Sequence, residues 1–427
     1  MAAFRILILD GQTTQALACV RSLGRAGHAA FVASADPWPL AGWSRYARGR
    51  YRLAAETGPA FAALRDWARG MGIDLVLPLT ERACRLVSNE RPTWEAHGIL
   101  VGCAPDELLG RAFDKARVLE LAAACGVAVP PTRVPDSLAA AQAGAAELGF
   151  PCVIKARSSN AFVGGRFLPD LGPAYARTPA ELEHAVLPRR QGADWPLIQR
   201  YVPGQGKGVF ALCDRGTALA WFAHERLRDV QPSGSGSTLR RAIRLDPRLR
   251  APAERLLKTL AWHGPAMVEF RDDGTPDPWL MEVNGRFWAS LQLAISAGVD
   301  FPTLWVRLAR GERVDAVTGY TEGVTLRWLW GDVKRFLHIM RGPPPGFPAA
   351  FPTRAAGLRE LFAAQPPGTR VEIWDRADWW PAVGEWVQGI RELATLALRT
   401  GQRARIRHRP AEPAEPAEAA RPAGVSA

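Results

Sequence analysis

The chain has 427 residues, 48% of them hydrophobic, which is enough apolar material for two or three folded units with buried cores. Lysine and arginine number 54 against 42 aspartate and glutamate residues, giving a net charge of +12. The basic residues are nearly all arginine and are spread along an Ala-, Pro- and Gly-rich chain, so they form no compact basic segment interleaved with aromatics before the C-terminal end. We therefore expect no nucleic-acid partner.

The cysteines and the N-terminus indicate the compartment. The six cysteines have neither CxxC spacing nor a histidine at metal-site intervals, so we interpret them as reduced core residues. The N-terminus runs directly into a strand-like segment, and no apolar run approaches the length that crosses a membrane. We expect a cytoplasmic protein.

The first hundred residues alternate between strand and helix patterns. An apolar run at residues 4–9 precedes a helical pattern at 16–26 and a second strand at 29–34, which predicts a β-α-β opening of Rossmann type. The turn after the first strand offers only Gly11 and lacks GxGxxG, so it does not specify a dinucleotide site. Further strand patterns at 74–78 and 98–102 complete a predicted α/β unit, residues 1–104, with a structural or substrate-side role.

The next segment places two of the five lysines at the ends of predicted elements. Lys155 ends an apolar strand and precedes a flexible loop, residues 158–165, whose amides could hold phosphate oxygens. Lys115 opens a helix, where a cation opposes the helix dipole, so a bound anion would explain it. Ordinary solvent exposure of either lysine remains an alternative.

Two strand-like runs, 266–271 and 279–284, flank a turn-rich segment and predict a β-hairpin. Side chains alternate faces along a strand, so Glu282 and Asn284 share a face, and closure near Thr275 brings Glu269 opposite Glu282. Facing carboxylates repel unless a cation lies between them, and hard oxygen donors suit Mg²⁺ carried by a nucleotide. The hairpin therefore predicts a metal site; an exposed hairpin with ordinary surface acids is the alternative.

Beyond residue 311 the chain changes to Trp- and Arg-containing amphipathic stretches, such as 325–340 and 385–399. The segment 328–341 and the basic end at 403–409 could rest on an anionic membrane surface, but we favour an amphipathic helix that covers the core. From about residue 401 the chain is basic and then rich in Pro, Ala and Glu, which predicts a disordered tail over 401–427.

These motifs, taken in order, resemble the ATP-grasp superfamily, whose members form an acyl-phosphate from a carboxylate and ATP and pass the acyl group to a nucleophile. The resemblance covers roughly residues 100–310 and rests on 114–132, 150–155, 197–204 and 281–286. It implies an α/β chain of the α+β grasp type. The implied domains are a Rossmann-like pre-ATP-grasp unit (1–104), an ATP-grasp domain (105–310), a C-terminal accessory region (311–400) and the tail.

The resemblance also implies residue roles. ATP and Mg²⁺, with Mn²⁺ as an alternative ion, are the expected cofactors, and Arg286 would stabilise the transferred phosphoryl group together with Lys155. The loop 234–238 would meet the substrate, with Arg240 or Arg241 as carboxylate anchors, and no histidine receives a role. The implied nucleotide-binding residues are Lys115, Lys155, Ser158, Gly164, Gly165, Gln199, Arg200, Tyr201 and Val202; the implied metal ligands are Glu269, Glu282 and Asn284.

The function that follows is an ATP-dependent ligase that joins a small carboxylate to an amine or similar nucleophile and releases ADP and phosphate. Such chemistry depends on positioning and on neutralising charge, which two lysines, an arginine and a metal ion supply. The alternatives are carboxyl activation like that of carbamoyl-phosphate synthase or biotin carboxylase, and a non-catalytic ATP-binding regulatory protein. The expected partners are small-molecule substrates, with a membrane less favoured.

Overall fold

The computed structural model describes residues 3–407 except residues 165, 169–170 and 318, and its side chains are described as far as residue 395. The predicted α/β opening is confirmed as a parallel five-stranded sheet of order β3-β2-β1-β4-β5. Its elements are β1 (Arg5–Ile8), α1 (Thr14–Arg25), β2 (Ala29–Ser34), β3 (Ala47–Arg52), α2 (Gly58–Gly70), β4 (Leu75–Leu77), α3 (Glu81–Asn89), α4 (Arg91–Ala96) and β5 (Leu100–Val101).

A second, four-stranded sheet of order β10-β7-β11-β6 follows two helices. Helix α6 begins at Lys115 because the Asp114 side chain accepts from the backbone amides of Ala116 and Arg117 and caps the first turn. The elements of this unit are α5 (Asp106–Phe113), α6 (Lys115–Ala124), β6 (Thr132–Arg133), α7 (Leu138–Leu148), β7 (Cys152–Lys155), β8 (Phe162–Val163), β9 (Arg166–Phe167), β10 (Ala174–Ala176), α8 (Pro179–Val186) and β11 (Leu197–Arg200).

The largest sheet has seven strands in the order β16-β15-β12-β13-β14-β17-β18. Two of its strands come from beyond residue 310, so the sheet crosses the predicted boundary between grasp domain and accessory region. Its elements and the remaining helices are β12 (Gln205–Asp214), β13 (Thr217–Arg228), β14 (Leu239–Ala242), α9 (Pro247–Thr259), β15 (Gly264–Asp272), β16 (Trp279–Asn284), α10 (Leu291–Ser296), α11 (Phe301–Ala309), β17 (Thr325–Arg327), α12 (Leu329–Arg341), α13 (Arg354–Phe362), β18 (Arg370–Val371) and α14 (Trp380–Arg407).

Alternation along β12 sends side chains into two different cores. Val209 and Ala211 pack in one cluster with the outer helices of the N-terminal unit and α9, whereas Phe210 and Leu212 pack in another with α1, α10 and α11. The N-terminal unit is thus packed onto both faces of the large sheet, which holds its helix α3 beside the site described below.

The C-terminal helices differ from the prediction in one respect. Helix α14 continues to Arg407, so the first seven residues of the predicted disordered tail are helical; three of these seven are arginine and none is proline. Residues 408–427 lie outside the described part of the chain. Trp330 of α12 is buried, as expected for a helix that covers the core. No helix in the described ranges is long and apolar enough to cross a membrane.

Candidate active site

The predicted hairpin is formed by β15 and β16, and its register places Glu269 directly opposite Glu282. Asn284 lies two residues further along the same face and donates its amide to Glu282 Oε1 at 3.0 Å. The turn closes through residues 273–278, where Gly274 takes a positive φ of 88° that favours glycine. The three predicted oxygen ligands therefore converge on one face of two neighbouring strands.

The two carboxylates are held in different electrostatic states. Burial raises the pKa of Glu269, with the nearby Glu282 adding to the effect, although an ion pair with Arg226 opposes it. Burial also opposes ionisation of Glu282, but Lys115, the Asn284 amide and Lys155 outweigh it and lower the pKa. Glu282 is therefore the carboxylate of the pair that ionises more readily, and a cation between the two would favour ionisation of both.

The donor set fits a hard cation such as Mg²⁺, because two carboxylates and one amide oxygen meet on one face. Among the described residues, no group of three His, Cys, Asp or Glu side chains is arranged to hold a metal, and here the third oxygen would come from Asn284. In this structure Asn284 Oδ1 accepts from Arg286 Nη2 at 3.0 Å, and Glu269 is paired with Arg226. A metal ion at the hairpin would therefore compete with two arginines for its ligands.

Lys155 lies on the neighbouring sheet and faces the same space. Its ammonium donates to Gln199 Oε1 at 2.8 Å, and the Gln199 amide donates to Thr132 Oγ1 at 2.9 Å. Burial lowers the pKa of Lys155 to about 8, although Glu282 opposes the shift. Gln199 is 2% exposed. Its side chain thus positions Lys155 within the predicted nucleotide site.

The predicted phosphate loop, residues 158–165, leads into short strands that the sequence did not indicate. It folds into a small antiparallel hairpin of β8 and β9, with exposed Gly164 at its turn; Gly165 lies outside the described residues. The backbone N–H of Ser158 donates to the Gln191 side chain, and the Ser158 carbonyl accepts from the same side chain. The N–H that was predicted to bind phosphate therefore already has a partner. Its neighbour Ser159 instead accepts from Lys115 Nζ at 2.8 Å and lines the cavity.

These side chains surround a cavity of about 600 Å³ between the two sheets. It brings together most of the predicted residues, whereas Ser158 and Gly164 are not in its wall. Arg200 donates its backbone N–H to Pro131, so a contact between Arg200 and an adenine would involve its carbonyl. The predicted residues in the wall are Lys115, Lys155, Gln199, Arg200, Tyr201, Val202, Arg240, Glu269, Glu282, Asn284 and Arg286.

The N-terminal unit also contributes to the site. Arg286 lies 3.9 Å from Glu81, the first residue of α3, and Glu81 accepts from the Asn160 amide at 3.0 Å. Arg82 in turn donates to Asn160 Oδ1 at 2.8 Å. Arg286, beside the β15–β16 hairpin, and Asn160, in the predicted phosphate loop, therefore both contact helix α3 of the N-terminal unit. These contacts depend on the packing of distant segments, and the sequence did not reveal them.

Sequence reasoning also missed three residues in the far wall of the cavity, His224, Arg226 and Trp288. The available signal was the pair of glycines at 206 and 208, just before the apolar run 209–213, because glycine inside a strand often marks a close approach of other groups. Gly208 lies opposite His224 in the β12–β13 register, and the Arg226 side chain lies 3.1 Å from the position of a Cβ on Gly206. Arg241, by contrast, pairs with Glu225 outside the wall.

Two aromatic rings crowd the position that a side chain on Gly208 would take. An added Cβ would lie 2.7 Å from the Phe210 ring and 2.9 Å from the His224 ring. We expect Gly208→Ala to destabilise the protein by about 1–3 kcal/mol, because a core that is already packed must shift. Urea unfolding would measure this. Gly110→Ala on α5, where no atom lies within 4 Å of the added Cβ, is the matched control. Equal free energies of unfolding for the two variants would show that the space over Gly208 is not crowded.

Comparison with known proteins finds one matching sequence family and several solved structures of similar fold. The family described as "ATP-grasp in the biosynthetic pathway with Ter operon" matches residues 194–331. No curated protein sequence gives a significant match. Among solved structures, the chain is similar to biotin carboxylase from Campylobacter jejuni in complex with β-γ-ATP, at 18% identity and a TM-score of 0.61 over 75% of this chain and 74% of that one.

Two further solved structures agree with this. The biotin carboxylase domain of Hydrogenobacter thermophilus 2-oxoglutarate carboxylase, in complex with MgADP, ADP and bicarbonate, gives 18% identity and a TM-score of 0.59 over 75% of this chain and 72% of that one. N5-carboxyaminoimidazole ribonucleotide synthetase from Thermus thermophilus gives 18% identity and a TM-score of 0.57 over 75% of this chain and 81% of that one. At such identities the likeness concerns the fold, and it confirms the grasp architecture predicted from the sequence motifs.

Proposed function

We propose that this chain, an ATP-grasp protein by its fold and motifs, is an ATP-dependent, ADP-forming ligase that activates a small carboxylate and transfers the acyl group to an amine or similar nucleophile. The single observation that carries the proposal is the convergence of the oxygen-bearing side chains of Glu269, Glu282 and Asn284 with Lys155 and Arg286 around one cavity. Transfer of a phosphoryl group from a metal-bound nucleotide requires carboxylates that hold the metal ion and cationic side chains that neutralise the phosphates.

The residues divide into a nucleotide side and an acceptor side. Lys115 and Lys155 would contact the phosphates of ATP, and residues 199–202 would hold the adenine. Glu269, Glu282 and Asn284 would hold Mg²⁺, which would neutralise the charge of the phosphates. Arg286 lies next to Asn284 and is placed to bind the transferred group and the carboxylate oxygen that receives it.

The experiment that tests the proposal is ADP release by the full-length protein with Mg·ATP and a matrix of small carboxylates and amines. We expect release that depends on both substrates, and bicarbonate belongs in the matrix because solved relatives of the same fold include a bicarbonate complex. Release with bicarbonate alone would favour carboxyl activation like that of biotin carboxylase. Tight Mg·ATP binding without turnover for any pair would favour a regulatory ATP-binding protein instead.

The pH dependence of nucleotide binding offers a test of Lys155. Its pKa of about 8 in the free protein means that the ammonium is charged below pH 8 and loses its proton above it. A neutral amine does not attract phosphate, so we expect the affinity for Mg·ADP to fall between pH 7 and 9.5 towards that of Lys155→Met. Fluorescence titration at several pH values would measure it. A parallel decline in wild type and Lys155→Met would assign the pH effect to another group.

A further inference from the structure

His224 is a buried histidine without a hydrogen-bond partner. It lies on β13, is 1% exposed and lines the cavity beside the edge of the Phe210 ring, with 4.7 Å between the ring centroids. Neither ring nitrogen has a partner among the described residues. A buried polar group in a native fold is normally hydrogen-bonded, so an imidazole that faces a cavity with both nitrogens free indicates a missing ligand.

The position of His224 relative to the hairpin follows from the register. Glu282, Glu269, Gly208 and His224 lie in one row across β16, β15, β12 and β13. With neighbouring strands about 4.8 Å apart, the backbone of His224 is roughly 10 Å from that of Glu269. Gly208 stands between them and has no side chain, so the His224 ring is the next side chain after Glu269 along this row, and the Phe210 ring packs beside it over Gly208.

Arg240 supplies a second buried donor on the same wall. It lies on β14, diagonally across from His224, at a separation of roughly 7–8 Å for such pairs. Its Nη1 donates to Ser237 and its Nη2 side pairs with Glu372, whereas its Nε has no partner among the described residues. Burial, together with Arg226 and Arg240, lowers the pKa of His224 well below its usual value, so the ring is neutral and offers one N–H.

We propose that His224 and Arg240 form a subsite for a carboxylate that does not react, so that the ligase acts on a substrate with a second acid group. Two N–H donors suit the two oxygens of a carboxylate, and the flanking guanidinium groups favour an anion over a neutral group. The reacting carboxylate lies beside Arg286 at the other side of Gly208. The inference rests on the proposed function, because that function places the reacting group at the hairpin.

The first test uses the wild-type protein and its histidine signals. Full-length protein labelled with ¹⁵N-histidine is titrated with the dicarboxylates succinate, glutarate and adipate, and with butyrate as the monocarboxylate, each with and without Mg·ADP. His224 is assigned from the signal that disappears in His224→Gln. We expect the dicarboxylates to shift the His224 ring nitrogens and butyrate to leave them in place. Unchanged signals at saturating dicarboxylate would overturn the inference without any reliance on a mutant fold.

The second test compares affinities in variants. His224→Phe keeps an aromatic ring beside Phe210 but removes the donor, and we expect the best dicarboxylate to bind at least roughly tenfold more weakly. His224→Gln keeps a donor and should restore part of the loss. His184→Phe, at an exposed site on α8, is the matched control. Equal dicarboxylate affinity in wild type and His224→Phe would reject the subsite.

The two proposals fail in different ways. If Mg·ADP binds but no dicarboxylate moves the His224 signal, the subsite is wrong and the ligase proposal stands. If dicarboxylates move the signal but neither ATP nor ADP binds with Mg²⁺, the cavity recognises acids and the ligase proposal is wrong. Nucleotide binding that is normal in His224→Phe would also show that the variant is folded.

Discussion

Glu282→Gln is expected to abolish the Mg²⁺-dependent part of nucleotide binding and to lower ligase turnover by roughly 10²–10³-fold or more. Glu282 is the carboxylate whose pKa is lowered by Lys115, the Asn284 amide and Lys155 against the effect of burial, so it is the anionic ligand that is ready for a cation. The amide of glutamine keeps the size of the side chain and its contact with Asn284 but removes the charge that a metal ion needs.

The measurement is thermal shift with ATP alone and with Mg·ATP, because a ligand that binds only the folded state raises the melting temperature. Lys115 and Lys155 remain in Glu282→Gln, so we expect a residual shift with ATP alone and the loss of the increment due to Mg²⁺. Lys155→Met should reduce both. Glu254→Gln on α9, which removes the same charge at an exposed position, is the matched control. A full Mg²⁺ increment in Glu282→Gln would remove the hairpin as the metal site.

The hairpin could be predicted from the sequence because its information is local. The two strands are separated by one short turn, and alternation along each strand fixes which side chains share a face. The same holds for the β-α-β opening, where apolar runs and capping residues follow one another in the chain. In both segments the pattern of a few neighbouring residues decides the structure.

Apart from the glycines at 206 and 208, the sequence gives no indication of the far wall of the cavity, because this wall depends on pairings between distant segments. Strand β14 pairs with β17, some eighty residues later, and β18 adds only two residues to the sheet. Nothing local in so short a strand distinguishes it from a loop. The ion pair between Arg226 and Glu269 and the orphaned ring of His224 likewise follow from strand order. Arg226 and His224 therefore carried no signal of their own for a site. The hairpin in the phosphate loop was not predicted because it pairs only two residues on each side.

Glu372 gives the largest expected effect on stability. Its carboxylate forms an ion pair with Arg240, and both side chains are at most 2% exposed. Burial raises the pKa of Glu372, with Arg240 opposing it, and burial lowers the pKa of Arg240, with Glu372 opposing it. The pKa values of both groups are thus shifted towards the neutral forms, so the attraction between the two charges does not fully offset the cost of their desolvation. Each charged side chain therefore needs the other as its counter-ion.

We expect Glu372→Ala to lower the free energy of unfolding by about 3–5 kcal/mol, because Arg240 would remain buried with no counter-ion. The double variant Arg240→Met, Glu372→Leu should recover much of that loss, since an apolar pair of similar volume removes both desolvated charges. Glu360→Ala, which breaks a more exposed pair with Arg335, is the matched control and should cost no more than about 1 kcal/mol. Urea unfolding of the four proteins would measure these differences.

The outcome bears on how the C-terminal region serves the cavity. Glu372 directly follows β18, whereas Arg240 lines the cavity, so the pair links the end of the sheet to the substrate side of the site. A loss in Glu372→Ala that the double variant recovers would identify residues beyond 310 as part of the grasp unit. Equal stability of Glu372→Ala and wild type would mean that Arg240 keeps its charge without Glu372, and that β18 packs on the sheet without supporting the wall.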